Sequence, residues 1–380
     1  MAPTASSRDV TRLRLARHGL GPVSGTGRGT LTGPLEVVER LLAVQAQDFT
    51  AARWAVGVRA PGSSADDVRR AIDDASIVRS WPMRGTLHLV PAADLGWMLG
   101  LSAPRVLAGM RTRRGQLGLD DAIGAQATAV ALSALTGGRQ LSRAGFLAAL
   151  EAAGISTAGQ RGYHLIAHLA LTGTVCWGRQ VGSQQHLVLL DEWVRAPRRL
   201  EREEALGEFV LRYFSGHGPA TLQDFAWWSQ LTVADARVGL GVALGRLVEL
   251  QVDGITHYWA AAADTGEAGG PPTQRTPVLP LPGFDEYLLG YRNRGFAVDD
   301  ADFPRVVPGK NGIFLPLVLV NGRVAGTWRR AGRPGSPVYA VTAFHELTGR
   351  QRAGFDRAVQ EYSRFFRPDG ASAAEPAEPP

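Results

Sequence analysis

Between residues 8 and 262 the chain lays down one order of elements three times, and this recurrence limits the architecture more than any single motif. The first block has helix-like periodicity in RDVTRLRLARHGL and in GPLEVVERLLAVQ, where Leu35, Val38, Leu41, Leu42 and Gln45 keep the 3, 4 spacing of one face. A third helix, SSADDVRRAIDDA, opens on a serine cap and an acidic first turn. Two strand-like runs come next, IVRSW and TLHLV, parted by Pro82 and Gly85. Three helices and then a hairpin is the order of a winged helix. In the second block DAIGAQATAVALSALTG, SRAGFLAALEAAG and TAGQRGYHLIAHLALTG lead to TVCWGR and HLVLLDEWV. In the third, EREEALGEFVLRYFSGH, TLQDFAWWSQ and TVADARVGLGVALGRL lead to LVELQVDG and ITHYWAA. The copies share a pattern, not residue identities.

Glycine and proline crowd DTGEAGGPPTQRTP, which reads as a linker, and the character then changes to strands. PVLPLPGFDEYLLGY, NGIFLPLVLVNGRVAGTWRR and SPVYAVTAFHELT hold β-rich runs, with Asn321 and Gly322 placed as a two-residue hairpin turn. A last helix, TGRQRAGFDRAVQEYSRFF, closes this part. The expected fold is mainly α with β: three tandem winged-helix motifs over 8–91, 92–197 and 198–262, a small β-rich C-terminal domain over 263–366, and a disordered tail over 367–380. A chain of 380 residues exceeds the usual size of one domain, which agrees with such a division.

Composition excludes several classes. The N-terminus MAPTASSRDVTR has no apolar segment and no run of about 18 apolar residues occurs, so the expectation is a cytoplasmic protein without a membrane partner. Cys176 is the single cysteine, which leaves no internal disulfide and no cysteine-built metal site; its apolar flanks in TVCWG place it in a core. The eight histidines form no HExxH, and His164 and His168, spaced i and i+4, have no third ligand near them in sequence. GTGRGT at 25–30 lacks the lysine and the preceding strand of a phosphate loop, and no GxSxG elbow is present. Neither a metal nor a cofactor is expected.

Arginine stands out. Lys310 is the only lysine among 41 basic residues in a chain of formal net charge +6. Arginine binds phosphate bidentately and stacks on bases, and here it recurs beside aromatic rings. The groups are Arg53 with Trp54; Arg79, Trp81 and Arg84 in VRSWPMRGTLHL; Tyr291 with Arg292 and Arg294; and Trp328 with Arg329 and Arg330. A tryptophan at a core edge beside a solvated arginine accounts for any one of them. Four in one chain point to a nucleic-acid surface. Arg84, Thr86 and His88 alternate along the predicted wing strand and would share one face.

The stretch LLAVQAQDFTAARW, residues 41–54, fits none of this. It sets Gln45 and Gln47 one residue apart at the end of an apolar run, where a buried amide without partners costs about 1–3 kcal/mol. In a continuing helix such side chains point about 200° apart, whereas extended backbone sends them to one side. If both serve one site, the helix has to end near Val44, and Asp48, Phe49 and Thr50 are poor helix formers. Otherwise Gln45 closes the buried face and Gln47 is solvated. Asp48 reads as a cap or an arginine partner.

Gln45-Ala46-Gln47 after a helix, the wing sequence SWPMRGTLHLVPAADL, and the stretches LPLPGFDEYLLGYRNR and LVNGRVAGTWRR together resemble the AlkZ family of bacterial DNA glycosylases, over roughly residues 10 to 365. The resemblance implies three winged helices and a β-rich domain forming a concave surface on double-stranded DNA. It implies excision of N7- or N3-alkylated purines, with interstrand crosslinks or bulky natural-product adducts as further substrates, the latter in antibiotic self-resistance. The family's Gln-x-Gln motif maps onto Gln45 and Gln47 as the catalytic pair. The related YcaQ branch has Gln-x-Asp, so glutamine at 47 places this chain in the AlkZ branch, while Ala46 is smaller than the family's usual middle residue. No lysine lies near the motif for a Schiff base, so the expected enzyme is monofunctional, without lyase activity. It would act as a monomer in the cytoplasm, associated with the nucleoid. The alternatives are a winged-helix protein that binds DNA without chemistry, as a regulator or lesion binder, and a purely structural array.

Overall fold

The computed structural model describes residues 3–21, 31–182, 184–261, 278–310, 312–333 and 336–367. GTGRGT at 25–30, the predicted linker through residue 277 and the tail past residue 367 lie outside them.

Helix α1 (Ser7–Arg17) begins at a capping box between Ser6 and Asp9, and α2 (Pro34–Leu41) begins on a proline whose fixed φ suits a first turn. A two-residue strand β1 (Val44–Gln45) comes next, then α3 (Phe49–Gly57), α4 (Ala65–Asp73) and the hairpin of β2 (Ile77–Met83) and β3 (Thr86–Pro91). The predicted helix break occurs, but three residues before Val44, and the chain past the glutamines re-enters a helix at once. Asp48 accepts the Ala51 amide at 3.0 Å and starts α3. The cap outweighs the weak propensities of Phe49 and Thr50, so the first block has four helices where the sequence suggests three.

The second block holds α5 (Leu95–Gln116), α6 (Asp121–Leu135), β4 (Leu141–Ser142), α7 (Arg143–Ala152), α8 (Arg161–Leu171), β5 (Val175–Val181), β6 (Gln184–Leu189) and the short α9 (Leu190–Trp193). The 22-residue α5 is not anticipated by the sequence pattern. The third block holds α10 (Arg202–His217), α11 (Leu222–Ser229), α12 (Val233–Ala243), β7 (Leu247–Val252) and β8 (Ile255–Ala260). The first two hairpins join: Arg79 of β2 pairs with Trp177 of β5, giving one six-stranded sheet in the order β1-β3-β2-β5-β6-β4. The third hairpin forms a two-stranded sheet of its own.

The C-terminal part contains β9 (Leu279–Leu281), α13 (Glu286–Leu289), α14 (Phe303–Val306), β10 (Leu317–Val320), β11 (Arg323–Arg333), β12 (Ser336–Ala343) and α15 (Gly349–Phe365), with the strands in the order β12-β11-β10-β9. Asn321 (φ 52) and Gly322 (φ 80) form the expected two-residue turn, with Val320 opposite Arg323. This part shares a core with the first block: Val318, Trp328, Phe355 and Phe365 are buried with Val37, Leu41, Val56 and Ile72. A Cβ at Gly57 would overlap the Phe365 ring, so glycine there lets α15 lie against α3. Among the described residues no helix is long and apolar enough to cross a membrane.

Candidate active site

Helix α2 stops for a tertiary reason. Leu42 takes φ 64 and ψ −38, a region leucine enters only under constraint. Helix α10 crosses this end so closely that a Cβ on Gly216 would overlap the Arg40 carbonyl. Beyond Leu42 the chain is extended: Val44 and Gln45 lie opposite Leu89 and His88 of β3, and the Ala46 amide donates to the Leu87 carbonyl at 2.7 Å. Alternation in extended backbone sends Ala46 one way and the two glutamines the other. Ala46 is fully buried, Gln45 is 8% exposed and Gln47 is exposed. Gln47 Oε1 accepts from the Leu87 amide at 3.3 Å, while no described residue hydrogen-bonds the Gln45 side-chain amide.

Two charged side chains grip the backbone of this segment. Arg79 donates from Nε to the Ala46 carbonyl at 2.9 Å and from Nη1 to Gln185 Oε1 of β6 at 2.8 Å, with Nη2 3.4 Å from the Gln47 carbonyl. Burial pulls its guanidinium down to about 10, against the pull of Asp48, which leaves it charged at neutral pH. From the C-terminal part, Glu286 accepts the Gln45 amide on Oε1 at 3.2 Å and the Trp228 indole N–H on Oε2 at 2.8 Å. Arg84 Nη2 lies 3.5 Å from the same Oε1 and donates to His88 Nε2 at 2.9 Å. Since arginine only donates, His88 carries its proton on Nδ1, which donates to the Thr86 carbonyl at 2.9 Å. Burial, and then Arg84, push His88 down to about 3. Burial works to raise the Glu286 carboxyl, but His217, at 3.7 Å, together with Arg84 and His88 outweighs it and holds the group at about 2. Asp285, next to it, forms a bidentate pair with Arg59, Nη1 to Oδ2 at 2.8 Å and Nη2 to Oδ1 at 2.7 Å, with both side chains fully buried. One acidic dipeptide therefore holds the glutamine segment at Gln45 and the chain just past α3 at Arg59.

The residues predicted to face DNA divide. Trp54, Trp81, His88 and Tyr291 are buried, which corrects their placement on a surface. Trp54 donates to the Pro280 carbonyl at 2.6 Å, Trp81 meets Tyr163 edge-on, and the Tyr291 hydroxyl donates to the His217 carbonyl at 2.7 Å. Their ring area is taken up by the core whatever arginines stand beside them in sequence. Arg53 lies 5.2 Å from the rings of Phe49 and Phe366, and Arg294 lies 4.8 Å from Trp227 with Nε donating to the Leu288 carbonyl. Arg79 and Arg84 are taken up by the glutamine segment, Gln185, His88 and Glu286. Thr86 is half-buried at the start of β3, but Arg84 precedes the strand, in a turn with φ 57, so it does not share the alternation with Thr86 and His88. Arg292, Arg329 and Arg330 are exposed.

Sequence reasoning missed Asp285 and Glu286, although two adjacent acids inside the apolar run GFDEYLLGY were a usable signal: charges there have to find partners. Cys176 is buried, and among the described residues no three His, Cys, Asp or Glu side chains are grouped to hold a metal.

A family profile described as DNA glycosylase AlkZ-like matches residues 38–365. The chain is 27% identical over 347 residues to an interstrand DNA cross-link repair glycosylase of Streptomyces sahachiroi, covering 85% of this chain and 88% of that protein. Its fold is similar to the solved structure of Streptomyces sahachiroi DNA glycosylase AlkZ, with a TM-score of 0.78 and 24% identity over 95% of this chain and 97% of that one.

Proposed function

Because the chain belongs to the AlkZ-like family of DNA glycosylases, we propose that it hydrolyses the N-glycosidic bond of N7- and N3-alkylated purines in double-stranded DNA, with Gln45 and Gln47 as the catalytic pair. The observation that carries this reading is the end of the helix at Leu41 and the entry of Gln45 into a short strand, its side chain making no hydrogen bond with a described residue; the period-2 alternation of extended backbone is what would turn Gln45 and Gln47 to one side. An alkylated purine is already cationic and departs as a neutral base with the electrons of its bond to C1′, so a strong general acid is unnecessary. Two tasks remain: stabilising positive charge at C1′ and presenting a water to the opposite face of the sugar. Glutamine carbonyl oxygens suit both, as dipoles beside the oxocarbenium ion and as acceptors that orient the water. The water oxygen bonds to C1′ and its proton passes to solvent.

The relative named for cross-link repair extends the proposal to interstrand crosslinks and bulky adducts. The three helical blocks with their hairpins act as winged helices on the duplex, and exposed Arg292, Arg329 and Arg330 contact phosphates. The enzyme works as a monomer and, as a monofunctional glycosylase, leaves an intact abasic strand.

Duplexes bearing N7-methylguanine, a bulky N7 adduct or a nitrogen-mustard crosslink test this by the appearance of free or unhooked base. Release should fall at least about a hundredfold in Gln45→Ala and Gln47→Ala, with strand cleavage appearing only after alkali. If Asp48→Asn abolishes release while both glutamine variants keep it, the assignment is wrong, and binding without release would favour a DNA-binding protein without chemistry. Arg329→Ala and Arg330→Ala should give a shallower salt dependence of binding, each by about one unit of slope.

A further inference from the structure

We propose that Glu286 is a positioning residue for base release, holding the backbone at Gln45 and through it the angle at which both glutamine side chains meet the sugar. This rests on the assignment of Gln45 and Gln47 as the catalytic pair. The strand that carries the motif is a weak element: two residues long, on the outer edge of its sheet, entered through the constrained Leu42. Its neighbour β3 takes the Ala46 amide, and the Gln45 amide goes instead to a carboxylate 241 residues further along the chain. Without that acceptor a buried N–H is orphaned, since among the described residues the Gln45 backbone amide has no other acceptor.

Glu286 is 1% exposed, so it acts through Gln45 and does not touch the substrate. Its own position is set independently of the motif, by Trp228 on Oε2 and by the Asp285–Arg59 pair beside it. Arg84 balances its charge at 3.5 Å, which leaves geometry, and not field strength, as its contribution to the reaction.

Single-turnover release from an N7-methylguanine duplex, measured beside the Kd for the same duplex, tests the proposal on the full chain. Glu286→Gln keeps the size but has one acceptor oxygen, so it cannot serve the Gln45 amide and the Trp228 indole together. Release should slow about tenfold in Glu286→Gln and about a hundredfold in Glu286→Leu, with Kd within about twofold of the unmodified protein; a displacement of about 1 Å suffices for the larger loss. A role in folding alone would lower rate and affinity together, in step with the folded fraction seen by circular dichroism. Glu286→Gln releasing base at the unmodified rate, or losing affinity by the same factor as rate, overturns the proposal; if Glu286→Leu does not fold, the glutamine variant decides. Full release in Gln45→Ala and Gln47→Ala overturns both readings, whereas loss there with none in Glu286→Gln removes only the role of Glu286.

Discussion

The first and third hairpins share a local sequence grammar and use it differently. RGTLH and DGITH both place two positive-φ residues in a two-residue turn, Arg84 (φ 57) with Gly85 (φ 67) and Asp253 (φ 49) with Gly254 (φ 76). Both put a buried histidine three residues after the glycine, its Nδ1 bonded to a carbonyl two residues back, Thr86 in one and Ile255 in the other. Asp-Gly is a pair that such a turn favours, and Arg-Gly is not. The third hairpin stands as its own sheet with Ile255 55% exposed at the tip. In the first, the turn arginine folds back onto His88 and Glu286 with its side chain 12% exposed. A turn residue that departs from preference marks a tertiary commitment: Arg84 keeps a disfavoured φ because its head group is held from α13.

The first hairpin depends most on the anchor of α13. Asp285→Ala leaves Arg59 buried without its bidentate partner, a change expected to destabilise the protein by about 3–5 kcal/mol, read as a shift of the urea midpoint. A loss below about 1 kcal/mol would mean that α13 is held by other contacts, and the first hairpin with it.

Acid offers a second, milder break. His88 titrates at about 3 in the fold, against about 6.5 in the unfolded chain, so the unfolded state binds more protons between these values. Stability is then full above about pH 6.5 and falls as pH drops toward 3. At pH 5 one such histidine removes about 2 kcal/mol relative to pH 7.5. His18, His217 and His257 are also lowered, first by burial, and add in the same direction. Glu286, held at about 2 against an ordinary 4.5, works in the same direction but at lower pH: its contribution is full above the ordinary carboxyl range and is lost as pH falls from there through about 2, so it adds little to the drop at pH 5. Unfolding free energies from urea titrations at pH 7.5 and 5 should differ by about 2 kcal/mol less in His88→Gln than in the unmodified chain. An equal difference in both would show that His88 is not the group responsible.

The range of the forces involved decides how much of the molecule was legible in its sequence. The helix break before the glutamines, the Asn321–Gly322 turn and the burial of Cys176 depend on neighbours in sequence, and all three were legible. The stop at Leu42 was not legible to the residue, because α10 imposes it, with Gly216 making the approach possible. The arginine and tryptophan groups misled for a similar reason. Residue type says that Trp54 and Trp81 suit either a core or a base-stacking surface, and only the arrival of Pro280 and Tyr163 decides. Gln45 and Gln47 could be singled out from the sequence, and the acids of GFDEYLLGY marked a need for partners, but the bond from the Gln45 backbone amide to Glu286 could not be read, since nothing local links position 45 to position 286.

One substitution at the same turn position separates the two hairpins in energy. Asp253 is exposed and makes no hydrogen bond with a described residue through its side chain, so Asp253→Gly should change stability by no more than about 0.5 kcal/mol. Arg84→Gly has two opposed effects. Glycine relieves the positive φ, worth about 1 kcal/mol, but the charge-assisted bond to His88 and the contact with Glu286 are lost, and such bonds contribute about 1.5–3 kcal/mol each. The Glu286 contact is long at 3.5 Å, which puts it at the low end, so the expected net loss is about 2–3 kcal/mol. Urea unfolding of the two variants at pH 7.5 measures the difference directly. If Arg84→Gly proves as neutral as Asp253→Gly, the contacts at Arg84 merely offset the strain of its backbone, and the two hairpins are equivalent in energy however different their surroundings.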